Sequence, residues 1–196
     1  MQEVRFINCR FVKSASKASE FIIDDLPQIA IVGRSNVGKS SLINMLTNNS
    51  KMAKTSSLPG RTRLVNYFNV NNRFYIVDLP GYGFAKAAKD TIETWDAVMN
   101  DYFVNNEKLK LVLLLVDSRL GLQNKDLEML NYLNDNDLPV VIVFTKTDKI
   151  SRSEANQVAQ ATANQIRYDK SLIVLTSSSK KVGADKIAEL IAARLD

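Results

Sequence analysis

The 196-residue chain contains no histidine, one cysteine, one tryptophan and four prolines. Without imidazole, histidine-ligated metal centres and histidine general-base schemes are excluded. Cys9 alone cannot form an internal disulfide, which suits a reducing compartment, and it reads as a half-buried strand residue rather than a nucleophile. No apolar run approaches the length that crosses a bilayer, and the first residues lack the basic-then-apolar layout of a secretory leader. The expectation is a cytoplasmic protein with no membrane partner. One further absence is local. From Leu26 through Val77 there is not one Asp or Glu, while Arg34, Lys39, Lys51, Lys54, Arg61, Arg63 and Arg73 all fall there. The net charge of +5 is therefore concentrated, and it predicts a basic patch that could meet nucleic acid. A generic solvated basic face is the alternative.

What is present is an ordinary globular composition, 45% apolar and 24% charged, enough to bury a proper core in one domain spanning 1–196. Apolar runs alternate with amphipathic stretches over nearly the whole length. That predicts a three-layer α/β fold, a mostly parallel sheet with helices on both faces. Strands are expected at 3–11, 28–32, 64–70, 73–78, 109–117, 140–145 and 172–176. Helices are expected at 39–47, 89–104, 123–134, 153–166 and 184–195. Asn71-Asn72 reads as a tight hairpin turn, so one neighbouring pair should run antiparallel. The runs 111–116 and 140–144 are continuous rather than alternating, as for central strands covered on both faces. Ser153 and Asp185 are candidate caps near the starts of the last two helices. Residues 48–63 show no period and read as a mobile loop long enough to be functional.

Gly33-Arg-Ser-Asn-Val-Gly-Lys-Ser40 matches the phosphate-loop pattern GxxxxGK[ST] in full, between an apolar strand and a helix-like stretch. A polyphosphate needs several donors converging on it. Gly33 and Gly38 let the backbone turn with its N–H groups inward, so that Arg34, Ser35, Asn36 and Val37 line an anion-binding nest. The helix that starts at Lys39 adds its positive dipole end. Lys39 would reach the β- and γ-phosphates, and the Ser40 hydroxyl would ligate magnesium. A surface turn rich in glycine is the bland alternative, but it leaves the flanking strand and helix unexplained. The reading is a nucleoside triphosphate site.

Three later segments choose the base. Asp78-Leu79-Pro80-Gly81 ends an apolar strand, where Asp78 can hold magnesium through a water and Gly81 can bring an N–H to the γ-phosphate. Thr145-Lys146-Thr147-Asp148 closes a central strand at its carboxyl end, the usual ligand edge of open α/β sheets. The Asp148 carboxylate can accept two hydrogen bonds from the guanine N1–H and exocyclic amine, a pair adenine does not offer. The stem of Lys146 can lie over the base. Thr145 stands where asparagine is commoner, which weakens the expected support between loops. Thr176-Ser177-Ser178 follows the last strand, where a backbone N–H could meet the guanine carbonyl oxygen.

These segments together resemble the small GTPases, and among them the EngB family (also called YihA or YsxC). That family comprises bacterial ribosome-biogenesis GTPases of the TrmE-Era-EngA-like group. The likeness runs through GRSNVGKSSLIN, KTSSLPGRTRLVNYF, DLPGYGFAK, TKTDK and the serine-rich segment after the last strand. It implies a Ras-like phosphate-loop GTPase domain with one antiparallel strand, binding GTP and GDP with magnesium. It also implies that Thr62 is a switch threonine joining Ser40 and Asp78 around magnesium, and that Gly60, Arg61, Thr62, Arg63 and Leu64 lie beside the nucleotide. The partner it implies is the large ribosomal subunit or its precursors, with a need for the protein in normal division and septation.

On this reading the γ-phosphate draws in Thr62 and Gly81 and orders 48–63 and 82–89, and hydrolysis releases both. Lys39, Thr62 and Gly81 are the candidate catalytic residues. Ras-like enzymes place a water-orienting glutamine where this chain has Tyr82, so slow intrinsic turnover is expected. Asn36 resembles the asparagine that coordinates potassium in several relatives, which makes potassium a candidate second ion. Oligomeric state is left open, with a monomer favoured. Two rival readings are a nucleotide-regulated protein-binding module at the division site and an ATP-dependent small-molecule kinase. Asp148 argues against the kinase.

Overall fold

The computed structural model describes residues 4–54, 64–82 and 89–195, with the backbone alone described over 89–96. Among the described residues seven strands form: β1 (Cys9–Ala15), β2 (Gln28–Gly33), β3 (Val65–Val70), β4 (Phe74–Asp78), β5 (Leu109–Asp117), β6 (Val140–Thr145) and β7 (Ile173–Leu175). They make one sheet in the order β1-β3-β4-β2-β5-β6-β7. Strand β3 alone runs against the rest, antiparallel to β4 on one side and to β1 on the other. The hairpin pair is the one the sequence predicts, and β1 adds a second antiparallel pairing. At the turn Asn71 and Asn72 both take the left-handed conformation, φ 54° and 53°, which asparagine tolerates better than most residues.

The first strand begins later than its pattern suggests, at Cys9 rather than residue 3. The side chain of Asn71 explains the shift. Its Oδ1 accepts the N–H groups of Ile7 (3.2 Å) and Asn8 (2.8 Å), and its Nδ2 donates to the Arg5 carbonyl. The Ile7 and Asn8 N–H groups and the Arg5 carbonyl are thus bonded to a turn side chain instead of a ladder.

Five helices are described: α1 (Lys39–Leu46), α2 (Lys89–Val104), α3 (Asn124–Asp135), α4 (Arg152–Ile166) and α5 (Ala184–Leu195). Leu42 and Ile43 of α1 and Ile187 and Ile191 of α5 pack on one sheet face, against Ile29, Ile31, Leu111, Leu113 and Leu115. Tyr102, Leu130, Leu133 and Val158, from α2, α3 and α4, cover the other face over Ala30, Val32, Val112, Leu114 and Ile142. Strands β2 and β6 are buried at every residue, which is why their sequences run apolar without alternation. The start of α4 is set by Ser151 rather than Ser153. Ser151 Oγ accepts from Glu154 N and Glu154 Oε2 accepts from Ser151 N, a reciprocal box that the spacing Ser-x-x-Glu provides and that Ser153 is not placed to make. Asp185 lies within the first turn of α5, not before it.

Of the loop expected to be mobile, 48–54 are described, and they fold back on α1. The Asn44 side chain donates to the Ser50 and Ala53 carbonyls and accepts from the Ala53 N–H. Because β2, β4, β5, β6 and β7 share one direction, their carboxyl ends meet along one edge of the sheet, and that edge carries the site.

Candidate nucleotide site

Gly33 ends β2 where there is no room for a side chain. A Cβ there would lie 2.8 Å from the Leu115 carbonyl oxygen and 2.8 Å from Val37 Cγ1. The chain then curls, with Asn36 and Gly38 both at positive φ, 62° and 118°. Gly38 caps α1 without a side chain, so the first helical N–H groups remain for an anion. Gly81 closes on this loop from β4. A Cβ there would stand 3.0 Å from Ser35 N and 3.2 Å from Lys39 Nζ, so the glycine backbone lies beside the lysine ammonium. Tyr82 pairs with the same segment, its N–H donating to the Gly33 carbonyl (3.3 Å) and its carbonyl accepting from Ser35 N (3.2 Å). Its hydroxyl points into the protein and donates to Asp126 Oδ1 of α3 at 2.7 Å. Burial first, and the Asp126 carboxylate next, hold this phenol protonated well above its usual range.

Asp78 is 4% exposed, and its Oδ1 has no hydrogen-bond partner. Burial pushes its pKa up to about 6, against the pull of Lys39 and Asn66. A buried carboxylate oxygen without a donor is costly on its own and well suited to a cation. The donor set of Asp78 with the Ser40 hydroxyl is hard oxygen, which fits magnesium.

At the end of β6 the base segment is tied to the phosphate loop. Thr145 Oγ1 lies 2.7 Å from the Val37 carbonyl oxygen, and 3.2 Å from that of Val116, with one proton to give. The threonine therefore keeps the support between loops that its sequence was expected to weaken. Lys146, at φ 59°, donates from Nζ to the Asn36 carbonyl (2.8 Å) and to Asp117 Oδ2 (2.9 Å). Thr147 binds the Thr176 carbonyl through both its N–H and its hydroxyl. Asp148 Oδ1 accepts from Ser177 Oγ at 2.7 Å, and this bond first of all lowers the carboxyl pKa below its ordinary value. Asp117 is also held ionised. Burial opposes its charge, but hydrogen bonds from Arg119 and Lys146 outweigh burial and bring its pKa down.

A model of the 50S ribosome-binding GTPase family matches residues 28–146, more than half of the chain. A probable GTP-binding protein EngB of Clostridium acetobutylicum is 43% identical over 187 residues, covering 95% of this chain and 94% of that one. The chain belongs to the EngB family. A second EngB relative, from Flavobacterium psychrophilum, is 50% identical over 147 residues, or 75% of this chain and 72% of its own length. Among solved structures, a probable GTP-binding protein engB superposes with TM-score 0.71 at 24% identity, covering 86% and 98% of the two chains. Aquifex aeolicus Era gives 0.70 at 25% identity, covering 88% of this chain and 58% of that one. The EngB-family chain is thus a GTP-binding phosphate-loop GTPase. No helix among its described residues is long and apolar enough to cross a membrane.

The segments Gly33–Ser40, Asp78–Gly81, Thr145–Asp148 and Thr176–Ser178 all sit on the carboxyl edge, as their spacing in the EngB-like pattern suggests. Leu64 precedes β3, whose reversed direction brings Asn66 beside Asp78 and so puts Leu64 at the same edge. Gly60, Arg61, Thr62 and Arg63 lie outside the described residues. Sequence reasoning missed Asp117 and Asp126. The first could have been found, since Asp117 closes an apolar strand at its carboxyl end just as Asp78 does. The Tyr82–Asp126 pair spans 44 positions and leaves no local signal.

Proposed function

We propose that this EngB-family GTPase is a single-domain switch whose GTP-bound form docks on the large ribosomal subunit or its precursors during assembly. The observation that carries the nucleotide part is the tie of the base segment to the phosphate loop through Thr145 and Lys146. On this reading the amides of Asn36, Gly38, Lys39 and Ser40 and the Lys39 ammonium take the β- and γ-phosphates, while the Ser35 and Val37 amides donate to the Tyr82 and Arg34 carbonyls. Asp148 accepts from the guanine N1–H and amine while Lys146 lies along the base. The N–H groups of Thr176 and Ser177 already donate to the Phe144 and Val182 carbonyls, so the Ser178 N–H serves the guanine carbonyl oxygen.

Ser40 and Asp78, with Thr62 by family likeness, would hold magnesium. Bound there, the ion offsets charge on the phosphoryl oxygens. Lys39, Thr62 and Gly81 contact the transferred group. Tyr82, anchored inward on Asp126, does not orient the attacking water, which supports slow intrinsic turnover. Asn36 at the loop crest is the residue that would take potassium. Equal hydrolysis rates in potassium and sodium would remove that ion from the account.

The ribosomal part is supported by the matched family's description and by Lys51 and Lys54, both exposed within the acid-free stretch. A cytoplasmic monomer acting in this way would affect division and septation through ribosome supply. Pull-down of ribosomal particles tests it. Large-subunit particles are expected to follow the protein loaded with a GTP analogue and to be lost steeply as salt rises, because phosphate contacts release counterions. Salt-insensitive capture that ignores the nucleotide would contradict it.

A further inference from the structure

Asp117 stands outside all the proposed nucleotide-binding segments and yet is linked to two of them through the Lys146 side chain, which bonds both Asp117 and the Asn36 carbonyl. It closes β5 beside Thr145 of β6 and is 9% exposed. Arg119 fixes its orientation from one side: Nε donates to Oδ1 (2.9 Å), Nη2 to Oδ2 (2.6 Å), and the Arg119 N–H to Oδ1 (3.1 Å). The same Oδ2 also accepts from the Lys146 ammonium, which donates to the Asn36 carbonyl as well.

We propose that Asp117 is a positioning residue for the guanine site, holding Lys146 on the phosphate loop so that its stem is set for the base before nucleotide arrives. The inference rests on reading Thr145–Asp148 as that site. A lysine on a flexible four-carbon stem has no preferred direction of its own, and a single neutral carbonyl fixes it weakly. A charged acceptor makes the bond about twice as strong, and the planar arginine fork keeps the acceptor from turning. Lys146 also holds a left-handed backbone conformation, which persists only where surrounding contacts determine it. Asp117 and the Asn36 carbonyl are those contacts for its side chain. Arg119, Asp117, Lys146 and Asn36 therefore form a chain of bonds from the loop after β5 to the phosphate loop.

Release of a fluorescent GDP from the full chain, followed by displacement, tests the relay. Asp117→Asn and Lys146→Met are each expected to release it about tenfold faster. Because Asp117 acts through Lys146, the double variant should be no faster than Lys146→Met alone. Arg119→Ala should give a smaller acceleration that also vanishes in the Lys146→Met background. A residue that merely braces the fold would add its effect in full to that of Lys146→Met, and full additivity would overturn the proposal, as would unchanged release from Asp117→Asn. Should that variant fail to fold, Arg119→Ala with and without Lys146→Met asks the same question. If the unaltered chain bound no GDP at all, the site reading itself would fall, and this inference with it.

Discussion

Asp78 and Asp148 lie at the carboxyl ends of two strands of the same sheet, yet their protonation is driven in opposite directions. Asp78 is buried with an unpartnered oxygen, so burial dominates and its pKa rises to about 6. Asp148 accepts the Ser177 hydroxyl, which favours the charged form and lowers its pKa. The consequence for stability follows from the sign. A carboxyl depressed in the folded state adds stability above its unfolded pKa, about 3.9, and loses it as pH falls through the folded value. Ser177→Ala removes the first cause of the depression. A carboxyl-carbon NMR titration should therefore place the Asp148 midpoint below the ordinary aspartate range in the unaltered chain, and nearer that range in Ser177→Ala. An unmoved midpoint would mean that the hydroxyl does not set the charge.

The elements that sequence reading places best are those where one physical signal dominates. Strands β5 and β6 match their expected bounds because nearly every residue in them is buried, so their apolar runs are almost unbroken. Helix α5 also matches, since its apolar residues Ile187 and Ile191 recur at helical spacing. The misplacement of β1 has a tertiary cause, since Asn71 is more than 60 positions from the backbone it binds. The functional segments were legible because phosphate and base recognition impose short, fixed spacings. What joins them was not, because Asp117 to Lys146 and Tyr82 to Asp126 are pairings of distant positions. The latter couples the segment after β4 to the first turn of α3. In Tyr82→Phe the Asp126 Oδ1 stays buried without that donor, which should cost about 1–3 kcal/mol in urea unfolding. A loss within measurement error would show that α3 does not depend on the segment after Gly81.

At the scale of the whole molecule, a parallel sheet gathers four separate sequence segments on one edge, and covering both faces with helices makes that edge rigid. The phosphate loop and the base segment are bonded to each other directly, by Thr145 to Val37 and Lys146 to Asn36, so a guanine nucleotide would be gripped at both ends by one framework. On the proposed reading labour is divided: the loop at Gly33–Ser40 would grip the phosphates, and Asp148 would select the base. Calorimetric titration separates the two tasks. The unaltered chain should bind GDP and show no heat with ADP. Asp148→Asn should lose GDP and gain xanthosine diphosphate, because an amide at that position can donate to the carbonyl that xanthine carries in place of the guanine amine. Equal affinity for GDP and ADP, or GDP binding that survives Asp148→Asn unchanged, would contradict the account.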